Sequence, residues 1–199
     1  MRGFIANTHH DWFDFLAKEV FWEEVNFWSP SDYYAFRGGP GSPFFFKLKS
    51  PRNVIGGFGI VAQFEKLPEW LAWECFERGN GAPSLDVFQD RLQKLRSSNK
   101  IQNRGTVAQI GCIILSSAIF FPEELWIREP NDWGRQNLRY KIYDLTSGEG
   151  LRIWKECQEH ARFIEANYTE VNNLIPLGNR YGEPILIVPR LGQGTFRLV

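Results

Sequence analysis

Apolar and polar positions along this chain suggest strands in several separate stretches and change to helical spacing in four places. Gly3 to Thr8 reads as a short strand. Thr8 is placed to cap a helix that carries Trp12, Phe13, Leu16 and Val20 on one face. Glu24 to Trp28 is a second strand, halted by the turn formers Ser29, Pro30, Ser31 and Asp32. Beyond the tight turn from Arg37 to Pro43, Phe44–Lys49 and Val54–Phe64 form the strongest β signal, two antiparallel strands joined through Ser50, Pro51, Arg52 and Asn53. Gly56, Gly57 and Gly59 lie inside the second of these strands. They predict a bulge, a barrel corner or a close backbone approach, and hence a curled sheet.

Pro68 suits the first position of a helix reaching about Glu77, which Gly79 and Gly81 stop. Ser84 starts another, with Leu85, Phe88, Leu92 and Leu95 at helical spacing. Val107 to Phe121 returns to β character and is expected to close the sheet. A polar, tryptophan-containing loop from Glu123 to about Arg139 leads to a short strand, Tyr140–Leu145. Thr146 to Glu149 then spells a capping box for a helix with Leu151, Trp154, Cys157, Ala161 and Ile164 on its apolar face. Ile185–Val188 and Gly194–Val199 are the last strand-like stretches. The predicted fold class is mixed α/β (α+β), a curled and mostly antiparallel β-barrel or sheet flanked by helices, spanning residues 1–166. A C-terminal linker is expected over 167–199.

Charge narrows the function. Lys+Arg and Asp+Glu are both 23 among 199 residues, so the chain cannot coat nucleic acid by net charge, and any such site must be local. Aromatic residues make up 16%, more than a core of this size obviously needs, so some are expected to line a site. Cys75, Cys112 and Cys157 are widely spaced in apolar stretches, as expected of buried thiols in a reducing cytosol. There is no signal-peptide h-region and no apolar run of about 18 residues, so a cytoplasmic protein without a membrane partner is expected. In that compartment the sequon at Asn167 has no meaning.

Several chemistries are missing. His9, His10 and His160 are the three histidines, too few for the centre of a one-metal nuclease or a zinc deaminase, and His9 and His10 read as solvated residues at a helix start. There is no phosphate-binding GxxxxGK[ST] loop and no GxSxG serine. The pairs Glu23–Glu24 and Glu123–Glu124 read as solvated surface, because neighbours in sequence point apart on a helix or a strand. No catalytic centre is expected in this chain, and no cofactor or metal.

What the sequence does offer suits binding. Lys47, Lys49, Arg52 and Asn53 gather at the hairpin turn, where cations and an amide could hold phosphate oxygens or a base edge. Arg91, Lys94, Arg96, Lys100 and Arg104, opposed only by Asp90, could follow a nucleic-acid backbone or simply form a solvated helix face. Strand ends and loops add Asn7, Thr8, Trp28, Ser29, Pro30, Ser31, Trp126, Trp133, Tyr140, Tyr143 and Asp144, flat walls and polar groups that could converge on a pocket mouth.

The stretch PFFFKLKSPRNVIGGFG resembles the hairpin of EVE domains in the PUA-like superfamily. Together with EVNFWSPS, LPEWLAWE, IGCIILSSAIFFPEE, YDLTSGEG and RYGEPILIVPRLGQGTF it resembles the N-terminal region of bacterial HNH-type, modification-dependent restriction endonucleases. The resemblance implies a PUA-like fold and the specificity domain of such an enzyme, which recognises a modified and flipped base in DNA, a cytosine modification first among them. It also implies an HNH nuclease beyond residue 199, holding the catalytic residues and their divalent metal, and an intact protein that could be a homodimer. In this reading Trp28 and Trp133 stack on the base. Asn7, Thr8, Ser29, Pro30, Ser31, Asn53, Tyr143 and Asp144 complete its site, and Lys47, Lys49, Arg52, Arg91, Lys94, Arg96, Lys100 and Arg104 hold phosphates. An RNA-binding PUA-like module and a protein-interaction domain remain open alternatives.

Overall fold

The structure is a computed structural model that describes residues 1–31, 36–98, 108–134 and 139–174, with side chains as far as 167. Along the chain run β1 (Arg2–Thr8), α1 (His10–Leu16), β2 (Phe21–Ser29), β3 (Pro43–Leu48), β4 (Val54–Pro68), α2 (Glu69–Phe76) and α3 (Leu85–Ser98). There follow β5 (Gln109–Phe120), β6 (Ile127–Arg128), β7 (Tyr140–Asp144) and α4 (Gly148–Leu174), and short 3-10 turns occupy Glu77–Asn80 and Glu123–Leu125. The strands form one sheet in the order β2-β5-β4-β3-β1-β7, with β6 paired to β4. All its pairings are antiparallel except β1 with β3.

Alternation explains the layering. Phe44, Phe46 and Leu48 of β3 enter one core with Phe4 and Ala6 of β1, while Phe45 and Ile5 enter another on the opposite face. β3 is therefore buried along its whole length, as a strand covered on both sides must be. The first core is the inside of a curl. Phe27 of β2 and Phe44 of β3 stack edge to face at 4.8 Å, yet β5 and β4 lie between their strands. On a flat sheet, strands three places apart would be separated by about 14 Å. The glycines of β4 assist the bend. A Cβ at Gly57 would lie 2.2 Å from the Ile119 carbonyl oxygen, and the β4–β5 register shifts between Phe58 and Ile60.

Helix α1 plugs the curl with Trp12, Phe13 and Leu16. Helix α4 covers the outer face with Ile153, Cys157, Ala161 and Ile164, and α2 and α3 pack Ala72, Phe88 and Leu92 against Leu67 and Cys112 in a third cluster. Burial pushes the Cys112 thiol up to about 12 and that of Cys157 well above its ordinary range, so both stay protonated. No helix among the described residues is long and apolar enough to cross a membrane.

Several expectations need correction. Thr8 does not cap α1: it remains in β1 opposite Leu48, fully buried, and its hydroxyl donates to the Ala6 carbonyl, which leaves His9 at the cap position. The capping box before α4 does not form. The Thr146 hydroxyl donates to Asp144, and Glu149 accepts from the Asn131 amide and from Arg152. The loop after Glu123 is partly ordered by pairing, since Ile127 and Arg128 add to β4. Helix α4 continues across position 167, where the linker was expected, to Leu174, while Ile185–Val188 and Gly194–Val199 lie outside the described residues.

Candidate functional site

A cleft of about 590 Å3 opens where the ends of β1 and β2 meet the first turn of α1 and the exposed side of α3. Asn7 comes from β1, His9, Asp11 and Trp12 from the start of α1, and Phe27, Trp28, Ser29 and Pro30 from the end of β2. Lys49 follows β3, Arg139 precedes β7, and Arg91, Lys94, Leu95 and Ser98 come from α3. The cleft lies within the span of about 300–1,000 Å3 usual for ligand sites. A smaller apolar recess of about 60 Å3 shares Phe27, Trp28, Ser29 and Arg139 with it and is walled by Phe36, Phe44, Phe64 and Tyr140.

Each wall has a local cause. β2 ends at the Ser29–Pro30 turn, which leaves Trp28 half-buried one pair before the strand's last, opposite Cys112. The Trp28 indole donates to the Asn80 carbonyl at 2.8 Å and meets Phe88 edge to face at 5.3 Å. Trp12, 5% exposed, closes the inner side, with its indole donating to the Asn26 carbonyl at 3.2 Å and its ring 5.2 Å from that of Phe27. The Ser29 hydroxyl donates to the Ser31 carbonyl at 2.8 Å. Where Arg139 enters, its carbonyl accepts from the Asn7 amide at 2.9 Å.

The cleft is electropositive. Lys49, Arg91, Lys94 and Arg139 line it against one carboxylate, Asp11, in a chain whose formal charge is zero. Lys49 Nζ donates to His9 Nε2 at 3.0 Å, and its backbone carbonyl lies 3.0 Å from His10 Nε2. Partial burial lowers the Lys49 pKa. Burial and the adjacent ammonium lower that of His9 from 6.5 to about 4, so its imidazole is neutral and accepts from Lys49. The Arg91 guanidinium donates to the Gly81 carbonyl. Lys94 is exposed and makes no ion pair among the described residues.

Of the residues singled out from sequence, Asn7, Trp28, Ser29, Pro30, Lys49, Arg91 and Lys94 meet in this cleft. The others lie elsewhere. Lys47 is 4% exposed, ion-paired to Glu129 at 2.8 Å, hydrogen-bonded to Asn53 and seated over the Trp133 ring, so neither it nor Asn53 faces the cleft. Trp133 and Tyr143 are core residues beneath α4. The Tyr143 hydroxyl donates to Asp132, and burial raises its pKa. Asp144 is exposed, and the Thr146 amide and hydroxyl lower its pKa. Arg52 forms a two-pronged pair with Asp14 over the Trp126 ring. Arg96 ties Glu69 to the Pro30 carbonyl from outside the cleft. Thr8 and Ser31 are buried. Lys100 and Arg104 lie outside the described residues.

Sequence reasoning passed over His9, Asp11, Trp12, Phe27 and Arg139. The first three stand in the helical segment that directly follows Asn7, so a strand end read together with the helix start behind it would have found them. Phe27 and Arg139 are brought in by the curl, and although the glycines predict that the sheet bends, no local pattern says which distant residues the bend brings together.

Fold and cleft together define a mixed α+β domain with a curled, mostly antiparallel sheet, helices around it, and a cationic, aromatic-walled site at its strand ends. No family model matches the chain, and no curated protein matches it in sequence. Among solved structures, the crystal structure of a point mutant of the ZmASCH protein from Zymomonas mobilis is similar over 76% of this chain and 95% of that one, at 8% identity and a TM-score of 0.44. A likeness that distant assigns no function.

Proposed function

We propose that this chain is a nucleic-acid reader whose cleft takes a base out of the stack, and that its target is DNA carrying a modified base. One observation carries the reading: aromatic walls from Trp12, Phe27 and Trp28 stand beside the cations Lys49, Arg91, Lys94 and Arg139 in an otherwise neutral molecule. A flipped base needs flat apolar walls and a few polar groups for its edge, here Asn7 and Ser29, while its flanking phosphates need cations at the rim. The resemblance of the hairpin and its companion segments to PUA-like restriction specificity domains supports the same reading. On this reading the chain supplies the specificity of a cytoplasmic, modification-dependent HNH restriction endonuclease.

Fluorescence anisotropy tests it, with one DNA duplex prepared unmodified, with 5-methylcytosine, with 5-hydroxymethylcytosine and with N6-methyladenine, and with the matched RNA. Tighter binding to one modified DNA, lost in Trp28→Ala, is the expected result. Preference for RNA makes the chain an RNA-binding module, and absence of salt-sensitive binding to every probe removes the nucleic-acid reading in favour of a protein partner.

A further inference from the structure

We infer that the short turn Glu77–Asn80 with Gly81 positions the cleft's binding surface, and that Asn80 is its positioning residue; this rests on the cleft being the ligand site. Three lining residues converge on these two positions. The Trp28 indole donates to the Asn80 carbonyl at 2.8 Å, and Arg91 donates to the Gly81 carbonyl. The Trp12 ring lies so close to Gly81 that a Cβ there would stand 2.2 Å from its Cδ1. None of the three is near the others in sequence, and one comes from each of β2, α1 and α3.

Asn80 locks the turn that makes these contacts. It is fully buried, and its Nδ2 donates to the carbonyls of Ala72 at 2.9 Å and Glu77 at 3.0 Å. Its Oδ1 accepts from Asn26 Nδ2 at 2.9 Å. The same Asn26 nitrogen lies 3.3 Å from Cys112 Sγ, and the Asn26 carbonyl accepts the Trp12 indole. One amide side chain therefore ties α2, the turn and β2 together, and the backbone carbonyls of the two asparagines it links, Asn80 and Asn26, accept the indoles of Trp28 and Trp12. The turn needs such a lock, because Glu77 has φ of 42° and Gly81 φ of 73°, the left-handed region that a residue other than glycine enters at a cost. The Asn80 amide is satisfied at both ends, so displacing it would leave its own buried donors and acceptor unpaired, whereas Asn26 Oδ1 is buried without a partner in the arrangement observed.

The tryptophans of a stacking site must hold their planes within a small angle to meet a base, and a support that loosens weakens binding even where the fold survives. Asn80→Ala is the direct test, and Asn80→Ser, which keeps a small hydroxyl donor beside the Glu77 carbonyl and introduces no charge into the buried site, serves where the alanine variant does not fold. Ile153→Ala, in the core beneath α4 and away from the cleft, is the control for lost stability. We expect the Asn80 variant to bind the preferred oligonucleotide of the anisotropy series about tenfold more weakly. Its Trp12 and Trp28 indole N–H resonances, assigned with Trp→Phe variants, should shift and exchange faster with water. Ile153→Ala should change neither. Unchanged indole resonances in the Asn80 variant overturn the inference, as does an affinity loss matched by the control. If the wild-type chain binds no oligonucleotide, the proposed function fails, and the indole resonances alone decide whether Asn80 positions the tryptophans.

Discussion

Two lysines two positions apart show how environment assigns a role to a residue type. Lys47 points under β6 and is neutralised by Glu129; Lys49, just past the end of β3, reaches the cleft rim and His9. Lys47→Ala should cost about 2–3 kcal/mol of stability, low for a broken buried pair because Glu129 keeps 31% exposure, and leave oligonucleotide affinity unchanged. Lys49→Ala should do the reverse, weakening binding about fivefold to tenfold with little change in Tm. Thermal melts and anisotropy on both variants check the pair. His9 adds a pH signature. Its pKa lies near 4 in the folded chain against 6.5 ordinarily, so the unfolded chain takes up the proton first, and this group's contribution to stability falls as the pH drops from 6.5 toward 4. An anion held by Lys49 favours the imidazolium. Affinity should therefore rise as the pH is lowered through the same window, and His9→Gln should flatten that rise in a pH series of binding curves. The alternation of side chains marked Lys47 and Lys49 as a pair on one face. It could not distinguish them, because the partner of each comes from a distant segment.

At the scale of elements, the strands and helices were legible because their periods of two and of 3.6 are carried by the hydrophobic pattern itself. β1, the β3–β4 hairpin, α2, α3 and β5 fall within a few residues of expectation, and α4 begins where expected but runs on to Leu174. The misses share a cause. Thr8 and Thr146 are good caps by residue type, yet Thr8 is held in the ladder by β3 and Thr146 is turned to Asp144. Two-residue β6 is too short to show a period and exists because β4 offers an edge to it. The glycines of β4 were read correctly as sites of close approach, and Gly57 carries a prediction. Gly57→Ala places a Cβ against the Ile119 carbonyl, a backbone atom that can yield only by opening the β4–β5 ladder. It should cost about 3 kcal/mol, read by chemical denaturation, and broaden the amide resonances of both strands.

For the whole molecule, charge placement matters more than charge total. With Lys49, Arg91, Lys94 and Arg139 around one cleft, duplex binding should fall with salt along a log–log slope of about −3 to −4, and Lys94→Glu should reduce its steepness by about one. Titrations at several salt concentrations check both; a flat salt response would mean that these cations do not meet phosphates. The sequence by itself determined the fold class, the order of the longer elements and the strand-end position of Trp28 with Ser29 and Pro30, since each of these follows from periodicity or turn chemistry. Tertiary structure alone decided which of the aromatic and cationic residues share a surface. Curling the sheet brings β2 beside β3 and β1, carries α3 over the end of β2, and buries Trp133, Tyr143 and Lys47 beneath α4 and β6. Those are contacts between segments distant in sequence, set by the way bulges and glycines bend the sheet, and no window of neighbouring residues contains them.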